Sequence, residues 1–240
     1  MSGPQEHVEV LDVDRELASA LSDEQLKLAR AHTQARVQRL PVGGWDAIGE
    51  YGEQTTWLGL LILEGFVARE TSCEQETAIE VIGPGDLLRP WDHDGEYPLA
   101  SITTRWRLLE PTRIALLDDE FAQRISAWPA LTVAIIGRTG RRARWLAVRL
   151  IISQLRRIDA RVFYLFWHLA ERWGNHTPEG IVIPLRLTHA QIGELIGAQR
   201  PSVTTALSQL GGEQLVIRLP DGSWRIPSDT PDRLDEMLGR

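Results

Sequence analysis

The chain has one cysteine, Cys73, in 240 residues. That excludes an intramolecular disulfide framework and any zinc or iron–sulfur site built on four cysteines of one chain. Long apolar runs are also missing, and none approaches the ~20 residues that a membrane-spanning helix needs. The N-terminus has no basic segment followed by an apolar core, so no secretory signal is read and a cytoplasmic protein is expected. Histidines are few and scattered: His7, His32, His93, His168, His176 and His189. No Ser-His-Asp or Cys-His arrangement and no glycine-rich phosphate loop is recognisable. No catalytic residue is therefore assigned, and neither a cofactor nor a metal is expected.

What is present is concentrated in residues 187–210. Thr188 can cap a helix, with Gln191 three residues on as its capping-box partner. Ile192, Leu195 and Ile196 form one apolar face, and Gly197 suits the left-handed position that ends a helix. A second helix opens at Arg200-Pro201, where proline is tolerated because first-turn amides lack an intrahelical partner. Val203, Ala206, Leu207 and Leu210 point inward, leaving Arg200, Ser202, Thr204, Thr205, Ser208 and Gln209 outside. A small, polar face led by one arginine fits a recognition helix in a DNA major groove. Residues 215–219 and 224–226 flank Pro220-Asp221-Gly222-Ser223 and read as a β-hairpin. Helix, turn, helix, hairpin is the winged-helix order.

The net charge of −7 conceals an uneven distribution. Residues 1–128 hold 11 Lys+Arg against 23 Asp+Glu, or −12, whereas residues 129–240 hold 15 against 10, or +5. Eight arginines fall within 138–161 (Arg138, Arg141, Arg142, Arg144, Arg149, Arg156, Arg157 and Arg161), with Asp159 the one acid among them. Two readings of this cluster stand: a positive footprint for phosphate, or a helix surface paired with acids of the N-terminal half.

In chain order, residues 1–10 read as a disordered polar lead. Residues 14–38 carry a helical pattern, with Ser22 and Gln25 marking a restart. From Leu40 to about residue 118, short β-type runs alternate with Gly, Pro and Asp, at 57–63, 66–70, 78–82 and 113–117. That spacing predicts a small antiparallel sandwich or roll. After Pro129, Trp145, Val148, Ile151, Leu155, Ile158, Val162, Leu165 and Leu169 recur in steps of 3 and 4, a narrow seam near heptad spacing. Asp159 is the expected cap of a second helix within that stretch. Trp145, Val148, Ile151 and Leu155 are the candidate dimer seam, against the alternative that they pack on their own chain. A strand is read at 181–185 and a short final helix at 232–238.

These features together resemble the cyclic-AMP receptor protein/FNR family of bacterial transcription regulators. The resemblance covers about residues 14 to 227. It is strongest over Leu187–Leu215, where Leu-Thr-x-x-x-Ile-Gly-x-Leu-x-Gly-x-x-Arg-x-x-Val is close to the family pattern, with support from Leu63-Glu64-Gly65 and Gly83-Pro84-Gly85-Asp86. It implies an α+β fold: an N-terminal antiparallel β-roll of the cyclic-nucleotide-binding type (a double-stranded β-helix), a long connecting dimerisation helix and a C-terminal winged helix-turn-helix. The corresponding segments are 1–128, 129–158 and 159–240. It also implies a homodimer on a roughly palindromic double-stranded DNA operator, RNA polymerase as a partner, no membrane association, and a small-molecule effector of unknown identity. Arg200 then holds the position that reads guanine, which its two-pronged guanidinium suits. Thr188, Gln199, Ser202, Thr204, Thr205 and Gln209 are the other candidate DNA contacts. Pro201 stands where the family commonly has glutamate, and Thr205 where it has arginine, so an altered target sequence is expected.

The ligand end departs further. The family's phosphate cassette, Gly-Glu-Leu followed by Arg-Ser or Arg-Thr, falls on residues 85–101, with Pro90 near the glutamate position and Ala100 near the arginine position. Asp92, Asp94 and Glu96 would repel a phosphate, so cyclic AMP is not expected. Candidate effector-pocket residues are Trp57, Arg89, Trp91, Ala100 and Ser101, and Trp45 and Trp106 belong either to the same pocket or to core. His93 is a haem candidate, and Asp92, His93, Asp94 and Glu96 a metal candidate, against a solvated acidic loop. Two other functions remain open: a constitutive DNA binder whose roll is structural, and a cupin-like metal-dependent enzyme.

Overall fold

A computed structural model describes residues 6–52, 54, 56–92 and 102–228. They divide into two compact units. The first runs to Arg144 and the second from Trp145, with Thr77–Ile79 grouped with the second. The expected Ala100, Ser101 and His93, with Asp94 and Glu96, lie outside the described residues, as does the helix expected over 232–238.

The first unit opens with β1 (His7–Glu9) and three short helices, α1 (Val10–Val13), α2 (Arg15–Ala18) and α3 (Asp23–Ala29). Then come β2 (Gln34–Leu40), β3 (Gly43–Trp45), α4 (Ala47–Tyr51), β4 (Gly59–Glu64), β5 (Val67–Cys73), β6 (Glu76–Ile82) and β7 (Leu87–Leu88). The roll closes with β8 (Ile102–Leu108), β9 (Thr112–Leu117) and α5 (Asp119–Arg124). One sheet has the order β1-β2-β9-β4-β7 and the other β3-β8-β5-β6, with antiparallel pairing throughout the registers seen.

Strand alternation explains the layering. Leu60 and Ile62 of β4, with Ile114 and Leu116 of β9, join Val67, Ile82, Trp106 and Leu108 of the other sheet in one apolar cluster. Leu61, Ala115 and Leu117 point the opposite way, onto Leu11, Leu17, Phe121, Leu131 and Ile135 of the helices. The first sheet is buried on both faces, which is why β4 reads as an unbroken apolar run rather than an alternating one.

Three expectations change here. The polar lead is ordered in part, since His7–Glu9 pair with β2 and Val10 is buried. The helical pattern of 14–38 extends too far: Ser22 and Gln25 do form the capping box of α3, but Gln34–Leu40 is a strand pairing with β9. Tertiary pairing outweighs helix propensity there. Strand β8 has no counterpart among the expected strands, because its charged Arg105 and Arg107 face solvent or partners across the strand, and only Trp106 and Leu108 are buried.

Helix α6 (Pro129–Gln154) is the long connecting helix, and the division between the two units falls inside it rather than at its ends. Leu131 and Ile135 enter the roll's apolar cluster, and one and two turns on come two arginines. Arg138 is buried and donates to the Gly85 carbonyl and to Asp14 (2.7 Å). Arg142 forms a two-pronged pair with Glu80 of β6, one arm at 2.8 Å, and Arg69 reaches the same carboxylate at 2.9 Å.

In the second unit, α7 (Ile158–Trp173) is followed by β10 (Asn175–Thr177), β11 (Gly180–Ile183), α8 (His189–Ile196), α9 (Arg200–Gly212), β12 (Ile217–Arg218) and β13 (Trp224–Ile226). The four strands form one sheet, β10-β11-β13-β12, and Phe166 packs its ring 4.8 Å from Trp224. Helix α7 starts at Ile158 with Arg157 in the capping position. Asp159, the expected cap, instead lies inside the first turn, where its carboxylate accepts from the Ala160 amide and pairs with Arg157.

The expected dimer seam is in part engaged within the chain, at Trp145. The Trp145 ring lies 4.3 Å from that of His168 on α7 with Arg172 above it at 5.4 Å, so this residue packs on its own chain, and Leu155 lies past the helix end. Val148 and Ile151 are exposed. The longer step pattern, from Trp145 to Leu169, crosses the break between α6 and α7.

Glu80 is 6% exposed and faces two guanidinium groups. Removing one partner of a buried ion pair leaves the other charge uncompensated. Glu80→Gln is expected to destabilise the roll by about 3 kcal/mol, read as a lower urea midpoint. An unchanged midpoint would mean that the pair adds nothing to the hold of α6 on the roll.

Candidate nucleic-acid interface

The interface is built from α8, the turn Gly197-Ala198-Gln199 and α9. Thr188 caps α8: its hydroxyl accepts from the Gln191 amide, and the Gln191 side chain accepts from the Thr188 amide at 2.8 Å. Gly197 takes the left-handed conformation (φ 65°). Gly193 is needed for another reason. A Cβ there would clash with the carbonyl oxygen of Ala198, whose own amide donates to the Gly193 carbonyl at 2.9 Å. Only glycine allows the turn to fold back this tightly.

The carbonyls at the end of α8 have no helical partner of their own. Arg149 donates to the Leu195 carbonyl at 3.0 Å, while Arg161 donates to those of Ile196 (3.4 Å) and Gly197 (3.2 Å) and to Leu155 (2.6 Å). Cations at a helix C-terminus are also favoured by the backbone dipole.

In α9, Val203, Ala206, Leu207 and Leu210 are buried, and Arg200, Ser202, Thr204, Thr205, Ser208 and Gln209 are exposed, as the sequence predicts. Pro201 lies in the first turn, and Gln199 stands at the cap without a side-chain hydrogen bond. The polar face is less free than its composition suggests. The Thr204 hydroxyl reaches the Arg200 carbonyl (3.1 Å), the Thr205 hydroxyl the Pro201 carbonyl (3.2 Å), and the Gln209 amide donates to Glu213 (3.3 Å). Both threonines tie their hydroxyls back to the preceding turn.

His189 is not among the contacts expected from sequence. It opens α8, and its Nδ1 lies 2.8 Å from the Thr204 hydroxyl, linking the two helices of the motif. Its pKa is held below the usual histidine value by burial, then by the Arg218 and Arg200 guanidiniums. Its position directly after the capping threonine is the one signal available in the sequence. Arg218 comes from the hairpin, where it lies 5.7 Å over the Trp224 ring. The hairpin turn is closed by Asp221, whose carboxylate accepts from the Ser223 amide (3.0 Å) and hydroxyl (2.6 Å).

The arginine cluster is mostly engaged internally. Arg138, Arg141 and Arg142 pair with acids of the first unit, Arg149 and Arg161 close the end of α8, and Arg157 pairs with Asp159. The second of the two readings describes the first three, and the phosphate footprint shrinks accordingly.

The predicted effector residues that are described form a packed aromatic group. Trp57 meets Trp91 edge-on at 5.9 Å, and Tyr51, Trp45 and Trp106 continue the chain of rings. Arg89 donates to the carbonyls of Trp57 and Leu58 (the latter at 3.0 Å), pairs with Asp92 and lies 5.7 Å over Trp91. Its guanidinium thus ties the segment after β7 to the residues just before β4. Asp92, the one described member of the metal candidate, is taken by the same arginine, and no cluster of three metal-ligating residues occurs among the described residues.

Residues 160–236 match the family model of the Crp-like helix-turn-helix domain. Among solved structures, a cyclic nucleotide-binding domain containing protein from Listeria monocytogenes EGD-e is similar over 81% of this chain and 89% of its own, at 16% identity and a TM-score of 0.64. FixK2 from Bradyrhizobium japonicum is similar over 84% and 96%, at 15% identity and 0.59. A CRP-family transcriptional regulator from Thermus thermophilus is similar over 85% and 97%, at 16% identity and 0.57. At such identities the likeness establishes the shared fold. No curated protein matches the chain. Among the described residues, no helix is long and apolar enough to cross a membrane.

Gly193→Ala is expected to force the turn open by pushing Cβ against the Ala198 carbonyl, at a cost of about 1–3 kcal/mol. The check is a thermal melt of the variant: a melting temperature equal to that of the parent would show that the turn relaxes freely.

Proposed function

We propose that the chain, which carries a Crp-like helix-turn-helix domain over residues 160–236 on a fold shared with CRP-family regulators, is a transcription regulator that acts as a homodimer reading a two-fold symmetric DNA site. The observation that carries this reading is the face of α9: Arg200 at its exposed start, over a buried row of Val203, Ala206, Leu207 and Leu210. Arg200 donates twice to a guanine edge. The threonines, with their hydroxyls turned to the backbone, offer methyl groups that suit the thymine methyl. Ser202 and Gln199 are the remaining polar contacts, with RNA polymerase as the downstream partner and no catalytic role.

The dimer contact is the outer face of α6. Val133, Ile136, Gly140, Ala143, Ala147, Leu150 and Gln154 follow one another in steps of 3 and 4, and all are exposed. Val133 is 71% exposed, Leu150 62% and the adjoining Ile151 66%. An apolar heptad row with glycine and alanine between larger residues lets two helices approach closely. In the roll, the reading is that no cyclic phosphate binds, because Arg89 is already engaged by two carbonyls and Asp92. The roll senses another ligand or serves as structure.

Selection of bound DNA from a random pool, with and without cyclic AMP, tests this reading. A symmetric site is expected, unchanged by the nucleotide and lost or relaxed at one base pair in Arg200→Ala, where about 1–3 kcal/mol of discrimination is at stake. Enrichment of no sequence, or of the same site in the variant, would overturn it. Sedimentation of Leu150→Glu is expected to show a monomer where the parent is a dimer, with an unchanged circular-dichroism spectrum. A variant that stays dimeric would move the contact elsewhere.

A further inference from the structure

Three side chains with the chemistry of a phosphate site converge on the reading surface from three elements: His189 from the start of α8, Arg200 from the start of α9 and Arg218 from the hairpin. Their mutual repulsion is felt at His189, whose ring is pushed toward its neutral form by burial and by both guanidiniums. No acid is among the charged groups acting on it. Resting on the DNA-binding reading above, we propose that His189 is a proton-linked DNA contact, neutral in the free protein and protonated when the DNA backbone arrives.

Hydrogen-bond geometry supplies the device. The Thr204 Oγ1 lies within bonding distance of both His189 Nδ1 (2.8 Å) and the Arg200 carbonyl (3.1 Å), and it has one proton. Both contacts are hydrogen bonds only if Nδ1–H donates to Oγ1 while the hydroxyl donates to the carbonyl. That relay leaves Nε2 as the bare nitrogen. A proton added there creates a new donor and a full charge without disturbing the tie to Thr204. The N-terminus of α8, where the ring sits, is the end of a helix that favours anions. A phosphate placed there cancels the repulsion from Arg200 and Arg218 and stabilises the imidazolium.

The sign follows from linkage. The free-protein midpoint lies below the ordinary value of about 6.5, and a phosphate raises it in the complex. The complex therefore binds more protons than the free protein between the two midpoints, and affinity rises as pH falls through that window. One coupled group gives at most a tenfold change per pH unit.

The test is fluorescence anisotropy with the selected DNA site from pH 8 to pH 5.5 at fixed ionic strength. Parent, His189→Gln and His189→Arg proteins are compared. The parent is expected to gain several-fold in affinity over this range beyond any gain in His189→Gln. His189→Arg, charged throughout, should match the parent's acidic limit with the slope of His189→Gln. Equal slopes in parent and His189→Gln would overturn the proposal while leaving the DNA reading intact. Failure of all three proteins to bind at every pH would overturn the DNA reading and this proposal with it. The imidazole resonance of His189, followed by NMR in the free and DNA-bound parent, gives a second readout: a raised midpoint in the complex is expected, and an unmoved one would overturn the inference.

Discussion

The close approach of Gly193 to the Ala198 carbonyl is the constraint on which the reading surface depends. That contact sets how sharply the chain turns between α8 and α9, and so sets which side chains α9 presents. Everything around it serves the same geometry. The capping box at Thr188 fixes where α8 begins, the left-handed Gly197 fixes where it ends, and two arginines from other helices satisfy the carbonyls left over. Burial of Ile192, Leu195, Val203 and Leu210 then holds the pair on α7. All of these interactions lie within the fold, and together they fix where α9, and with it Arg200, begins.

Arginine does different work in different parts of the chain. Arg138 and Arg142 are buried or nearly so and paired with carboxylates, Arg149 and Arg161 bond to helix-end carbonyls, and Arg200 and Arg218 stand at the surface. A planar group with five donors fits all three tasks, where lysine's single ammonium would not. The consequence for electrostatics is direct. A segment's formal charge measures its field only when the charges are unpaired, and the surplus of residues 138–161 is largely neutralised or tied to backbone within the fold. The exposed arginines that remain include Arg144, Arg156, Arg186, Arg200 and Arg218.

The helix-turn-helix was legible in sequence because its constraints are local. Capping residues, a left-handed glycine and a 3-4 apolar step each have a signature within a few positions, and Thr188, Gln191, Gly197 and the buried row of α9 all fell where expected. The roll was legible as a class, through strands such as Gly59–Glu64 and Thr112–Leu117. What failed depends on distant partners. Gln34–Leu40 has helix-compatible residues and becomes a strand because β9 lies beside it. Arg89 is a candidate effector-pocket residue in the sequence, and its bonds to the carbonyls of Trp57 and Leu58, some thirty residues away, leave no local signature. His189 is bonded to Thr204, fifteen residues away, and no pattern in the sequence announces that bond.

Helix α6 shows how little periodicity alone says about which face is free. Two faces of the same helix carry 3-4 steps, and a search for large apolar residues selects Trp145 and Leu155 along with Val148 and Ile151. The inner face is marked instead by Leu131, Ile135, Arg138 and Arg142, a row that begins apolar and ends in buried ion pairs. The outer face is marked by Gly140, Ala143 and Ala147 between larger residues, and small side chains give a weak hydropathy signal even where close helix approach needs them. A glycine in a helix interior costs about 1 kcal/mol relative to alanine, and α6 carries Gly137 with open space beside it and Gly140 with the Arg144 side chain 3.9 Å from where a Cβ would stand. That cost is unrewarded within one chain. It is offset if a second helix occupies the space, which is the physical argument for placing a second copy of the chain on this face.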